Sequence, residues 1–184
     1  MIETKLRTRA YPARQFATGE IRHTHRPLPE DLYAAALDTL VIVCVDFIPL
    51  HAGNMLLSRR TRQPHPSWWV NGGRMRKGEL YGEAASRLMR DELGLQVAAE
   101  RFNLIGHYSL QWDTRAQAPQ SNGCHTLSAA HAVELTAEEV DRISPCEEYD
   151  ALTWVAPSAV PAASDGAFHP ALQAMVHDLI GLLG

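Results

Sequence analysis

"GGRMRKGELYGEAASRLMRDELGL", residues Gly72 to Leu95, is the stretch whose reading decides the fold. From Glu79 to Leu93 no proline interrupts, alanine and leucine dominate, and Gly94 stands where a glycine closes a helix. The stretch therefore predicts a helix of about four turns, entered from a glycine pair. Glu79, Glu83, Arg87 and Asp91 share one polar stripe, and Leu80, Ala84 and Leu88 form the neighbouring apolar row, which Glu92 extends. Acids stacked on one face repel unless something compensates them. Two compensations are open: a solvated face with pairs such as Glu83 to Arg87, or a hard divalent cation, since carboxylate and carbonyl oxygens suit Mg²⁺ or Mn²⁺.

Outward from this segment, "PEDLYAAALDTL" predicts a short helix and "TLVIVCVDFIPL" a core strand ended by Pro49. "HAGN" is turn chemistry and "MLLSRR" a second strand. After the Pro-rich "TRQPHPS" comes "WWV", aromatic area that could stack a base or pack the core, with core packing favoured. "FNLIGHYSLQW" reads as one strand or two, "RAQAPQSNGC" as a polar loop, and "HTLSAAHAVEL" and "ALTWVAP" as further strands. "PALQAMVHDLIGLL" has apolar residues at helical spacing. Strands alternating with a few helices predict an α/β layered fold.

The bulk properties bound the rest. With 184 residues the chain suits one domain, and 46% hydrophobic with 21% charged residues is a globular balance. We divide it into a basic N-terminal arm, residues 1–28, carrying Lys5, Arg7, Arg9, Arg14, Arg22 and Arg26, and a globular domain over residues 29–184. The arm reads as a flexible or dimer-packing extension, or as a contact for a phosphate-rich ligand. A net charge of -4 gives no nucleic-acid footprint. The apolar run "LVIVCV" is far shorter than the roughly 20 residues of a membrane span. The charged N-terminus lacks an apolar signal core, so a cytoplasmic protein without membrane partners is expected. Cys44, Cys124 and Cys146 have neither disulfide nor zinc-site spacing.

The order glycine, five residues, glutamate, seven residues, arginine, then two acids and a glycine resembles the box of the Nudix family. Gly73, Glu79, Arg87, Met89, Asp91, Glu92, Gly94 and Leu95 fall on its positions, with Asp91 in place of a glutamate. Leu88 stands where the box has glutamate after the arginine, and Asn71 where it usually has proline before the glycines. The resemblance implies an α/β/α sandwich with a mixed sheet between helices, a divalent metal, and a nucleoside diphosphate derivative as substrate.

The flanks "VDFI", "LLSRRTRQP" and "WWVNGGRMRKGE" are similar to the GDP-mannose mannosyl hydrolase branch, which also carries leucine after the box arginine. In that branch water attacks the anomeric carbon and releases sugar and nucleoside diphosphate, so one cation and two arginines suffice. Carried over, the resemblance implies Arg74 and Arg87 on the departing diphosphate and Arg60 near the nucleotide. It implies Glu92 and the Gly72 carbonyl on the metal with Asp91 as helper, Asp46 near the sugar, and a homodimer. The alternative for Asp46 is a buried acid bonded to backbone amides. Where the branch has a glutamine and a histidine base, this chain has Glu148 and Tyr149. Glu148 can ligate or act as base. Tyr149 is placed at the substrate but is a poor base, with an ordinary pKa of about 10. His125, matching a branch histidine, is placed at the substrate, and His125, His107 and Glu147 are the other candidates for the base. Two further readings stay open: a pyrophosphohydrolase attacking phosphorus, and a non-catalytic nucleotide-sugar sensor.

Overall fold

The computed structural model describes residues 15–22, 26–160 and 168–183. Of the basic arm, Lys5, Arg7, Arg9 and Arg14 lie outside the described residues, so neither reading of the arm is addressed there; Gln15 donates to the Gly78 carbonyl at 3.1 Å.

The chain runs α1 (Glu30–Thr39), β1 (Ile42–His51), β2 (Asn54–Arg60), β3 (Trp68–Trp69), β4 (Asn71–Arg74), α2 (Tyr81–Leu93), β5 (Asn103–Trp112), β6 (Cys124–Glu134), α3 (Ala137–Val140), β7 (Tyr149–Val155) and α4 (Pro170–Leu183). The sheet path is β3-β2-β1-β6-β5, with β4 also on β1 and β7 on β2. β1 and β6 are parallel and the remaining pairs antiparallel, so the sheet is mixed. Alternation along β1 builds both layers. Val45 and Phe47 turn toward α2 with Leu56, Ala84, Leu88 and Met89, while Ile48 and Leu50 turn toward α4 with Met55, Leu57, Leu172 and Met175. The result is a mixed sheet between helices.

Two element boundaries differ from expectation. Pro49 does not end β1, which continues to His51. The Leu50 carbonyl accepts from Leu135 N–H on the β6 side, so Pro49 faces the other edge, between the Phe47↔Asn71 and Leu50↔Met55 pairs. No ladder partner needs its missing N–H there. The box helix begins at Tyr81, leaving Glu79 in the preceding turn, because the Glu83 carboxylate accepts Leu80 N–H at 2.8 Å and closes the N-terminus. The C-terminus follows the glycine signal: Gly94 is left-handed, with φ 71°, and its N–H returns to the Arg90 carbonyl. The stretch from Phe102 to Trp112 forms a single strand, β5, from Asn103. Trp69 is core at 3% exposure.

Candidate active site

The last turn of α2 delivers Glu92 beneath the glycine strand β4. Its Oε2 accepts the Tyr149 hydroxyl at 2.6 Å, the Gly72 N–H at 3.0 Å and the Asn71 Nδ2–H at 3.4 Å. The Asn71 Oδ1 in turn accepts from Ser58 at 2.9 Å. Burial raises the Glu92 pKa to about 7, opposed by these donors and reinforced by the nearby Glu148 carboxylate. Tyr149 is buried, and the same burial with the Glu92 charge pushes its pKa above the ordinary tyrosine value. Tyr149, expected at the substrate, donates its hydroxyl inside the protein to Glu92.

Gly72 separates Glu92 from Asp46. The two strands pair Asp46 with Gly72, and a Cβ at Gly72 would collide with the Asp46 Oδ1 and the Val45 carbonyl. The backbone there is also at φ +151°, so glycine is required twice over. Asp46 sits within β1 and accepts the Ser128 hydroxyl of β6 at 2.5 Å, rather than backbone amides at a strand end. Burial raises its pKa to about 6 against the pull of Ser128 and of the Arg60 charge. At the end of β2, Arg60 Nη2 donates to Glu148 Oε1 at 2.8 Å, and its buried Nε has no partner among the described residues. Asp46, Arg60, Glu92, Glu148 and Gly72 thus form one neighbourhood.

Other predicted residues are committed elsewhere. Arg87 pairs with Glu79, not Glu83, through Nε at 2.5 Å and Nη2 at 2.9 Å, and donates to the Arg74 carbonyl at 3.0 Å. Burial raises the Glu79 pKa, but the Arg87 bonds and the Arg76 N–H outweigh it and leave the value lowered. Arg87 is therefore engaged with protein groups, because Glu79 folds back from the turn before the helix. Asp91 lies 3.0 Å from Arg90 and 3.7 Å from Arg87. One residue along a helix rotates the side chain by about 100°, which takes Asp91 away from Glu92. The Arg74 guanidinium lies 4.1 Å from the centre of the Tyr33 ring, exposed to solvent on one side. His125 Nε2 meets Ser109 Oγ at 2.8 Å and borders an open groove with Asp38, Gln111, Trp112 and Asn122. It lies three residues before Ser128 on β6, about 10 Å along the strand. Exposed His107 leans on Tyr81, and Glu147 is exposed.

Among the described residues no three metal-binding side chains gather. The donor set still fits a cation shared with substrate. All three Glu92 bonds fall on Oε2, while Oε1 faces Gly73, 3.8 Å from where a Cβ would stand. Glu148 supplies a second carboxylate, and Mg²⁺ is commonly held by one or two carboxylates plus substrate phosphates. Reading the sequence missed Ser58, Asn71 and Ser128 as members of the site. Only Asn71 carried a signal, by replacing the usual proline before the glycines.

The NUDIX domain family matches residues 41–176. Among curated proteins, the chain is similar to the low-salt glycan biosynthesis protein Agl8 of Haloferax volcanii, 29% identical over 115 residues, covering 62% of this chain and 72% of that protein. Among solved structures, it is similar to a MutT protein from Methanosarcina mazei, with TM-score 0.59, 15% identity and coverage of 77% and 94% of the two chains. The E. coli ORF135 protein gives TM-score 0.57 at 20% identity, over 77% of this chain and 90% of that one. The E. coli dihydroneopterin triphosphate pyrophosphohydrolase gives 0.55 at 18%, over 76% and 95%. These structural likenesses establish the fold.

Proposed function

The chain belongs to the Nudix hydrolase family, and from that membership we propose that it hydrolyses a nucleoside diphosphate sugar at the glycosidic carbon, in the manner of GDP-mannose mannosyl hydrolase. The observation that carries this reading is Leu88. It is 7% exposed and packs beneath Gly73, within 3.1 Å of where a Cβ would stand, so the inner face of α2 offers one carboxylate, Glu92. Attack at phosphorus with several cations asks for more carboxylates than this face presents. The glycan-biosynthesis name of the Haloferax relative supports a sugar.

In the proposed reaction, a water oxygen bonds to the anomeric carbon as the carbon–oxygen bond to the diphosphate breaks. The electron pair leaves with the diphosphate oxygen. The Glu148 oxygen not engaged by Arg60 accepts the water proton. Arg60 and Arg74 bind the departing diphosphate, guanidinium forks being matched to phosphate oxygens and always charged. Arg87 holds the Arg74 backbone in place through its carbonyl. The buried Asp46 carboxylate faces developing positive charge on the sugar. Glu92 and the Gly72 carbonyl would hold Mg²⁺ or Mn²⁺ together with substrate phosphates. When bound, the cation neutralises the leaving diphosphate.

The reading includes a homodimer and a cytoplasmic location. Among the described residues no helix is long and apolar enough to cross a membrane, and light scattering tests the dimer.

The deciding experiment incubates the protein with Mg²⁺ and a panel of nucleotide-sugars in ¹⁸O-water and identifies products by phosphorus and proton NMR. Free sugar carrying the label, with nucleoside diphosphate, is expected. Sugar phosphate with nucleoside monophosphate would move the reaction to phosphorus. Tight binding without turnover across a panel of metals would make the protein a sensor.

A further inference from the structure

Two departures from the family pattern meet on one atom. Asn71 stands where the box usually has proline, and Tyr149 where the related branch has histidine; both donate to the same Glu92 oxygen, Oε2, at 3.4 and 2.6 Å. A proline at 71 offers no side-chain donor. The amide is itself oriented, because Ser58 donates to the Asn71 Oδ1 at 2.9 Å and so turns Nδ2 toward Glu92. Ser58 and Asn71 are 0% exposed, Tyr149 7% and Glu92 8%, so the network is closed to water. Every donor in it is neutral. Neutral donors hold a carboxylate in place without cancelling its charge, whereas a guanidinium would do both.

We propose that Asn71 and Tyr149, with Ser58 behind them, are positioning residues that fix Glu92 as a one-oxygen cation ligand, holding Oε2 and presenting Oε1. The inference rests on the reading of Glu92 as a metal ligand. It accounts for a tyrosine that has lost the place of a base: its hydroxyl serves the ligand instead. It also accounts for a buried asparagine beside a glycine pair, at the position where the box usually has proline. Groups in the outer shell of a metal site orient the ligand before the ion arrives, and their loss typically weakens metal binding about 10- to 100-fold.

The test is Mn²⁺ binding to the full chain, followed by calorimetry and by the electron paramagnetic resonance of free and bound Mn²⁺. The variants are Tyr149→Phe, Asn71→Ala, Ser58→Ala and Glu92→Gln, and each of the first three combined with Glu92→Gln. Tyr149→Phe should weaken Mn²⁺ binding about 10-fold or more, and Asn71→Ala less, in keeping with its longer bond. In the Glu92→Gln background the same substitutions should change Mn²⁺ affinity no further. Ser58→Ala leaves the Asn71 amide present but free to turn, so it reads orientation even if Asn71→Ala fails to fold. Wild-type affinity in folded Tyr149→Phe and Ser58→Ala would overturn the proposal. So would equal losses with and without Glu92, since the residues would then act elsewhere. Wild-type affinity in Glu92→Gln alone would instead show that the metal reading under the proposed function has failed, and the positioning role with it.

Discussion

In the turn before α2, Glu79 is gripped by the Arg87 guanidinium; at the end of the helix, Glu92 is held by a hydroxyl, an amide and a backbone N–H. Both acids are largely buried and hydrogen-bonded, yet their protons respond in opposite directions, Glu79 being lowered and Glu92 raised to about 7. The partner's charge makes the difference. A carboxylate paired with arginine has its charge answered and serves the fold. One satisfied only by neutral dipoles has its charged form left uncompensated in a dry place, so burial raises its pKa. The box segment thus places two acids with opposite kinds of partner, one just before α2 and one in its last turn.

The contrast can be broken most forcefully at Glu92. Glu92→Gln keeps shape and hydrogen bonds but removes the charge, and Mg²⁺-dependent turnover should fall by about 10³-fold or more; residual turnover within tenfold of wild type would return Glu92 to a structural role. Arg87→Ala attacks the other end and leaves Glu79 unpaired in a site where the two side chains are only 12% and 14% exposed. Urea unfolding should report a loss of about 3 kcal/mol, and an unchanged midpoint would mean the pair contributes little.

Acidity separates the two ends by sign. In metal-free protein the Glu92 contribution is present below its ordinary 4.5 and is lost as pH rises through about 7. Asp46 behaves alike between its ordinary 3.8 and about 6. The Glu79 contribution is present above 4.5 and lost as pH falls through its lowered folded value. Unfolding free energy measured with chelator from pH 5 to 8 should therefore decline by on the order of 3 kcal/mol from Glu92, and Glu92→Gln should flatten that decline. An identical slope in the variant would sink the assignment. The smallest effect is expected at Arg74, where Arg74→Ala removes the stack on Tyr33 and costs about 0.5–1 kcal/mol of stability. A rise in KM for the nucleotide-sugar would place it at the diphosphate; unchanged kinetics would leave it a surface residue.

The Glu79–Arg87 end was only partly legible from spacing. Periodicity placed both residues on one stripe, but the helix starts two residues later than expected, and Glu79 reaches Arg87 by folding back from the turn. At the other end, spacing identified Glu92 but not its donors. Ser58 and Asn71 meet through the positions of β2 and β4 in the sheet, and Tyr149 arrives on β7, whose pairing with β2 shifts register between Arg59 and Arg60. Nothing local in "PCEEYDALTWV" says which of its side chains turns inward at that irregularity.

What the sequence by itself determined is whatever depends on neighbours along the chain. The box helix and its glycine stop, the alternating core strands, the layered α/β class and the resemblance that the family match bears out are all readable at short range. What only the tertiary structure decided is which acid meets which donor: Arg87 with Glu79, Asp46 with Ser128, and Glu92 with Tyr149. The last two contacts join residues 82 and 57 positions apart in the chain, the first depends on how Glu79 folds back from the turn before α2, and the geometry of all three follows from strand register and helix placement. A shift of one residue would turn a strand side chain to the other face and rotate a helical one by about 100°.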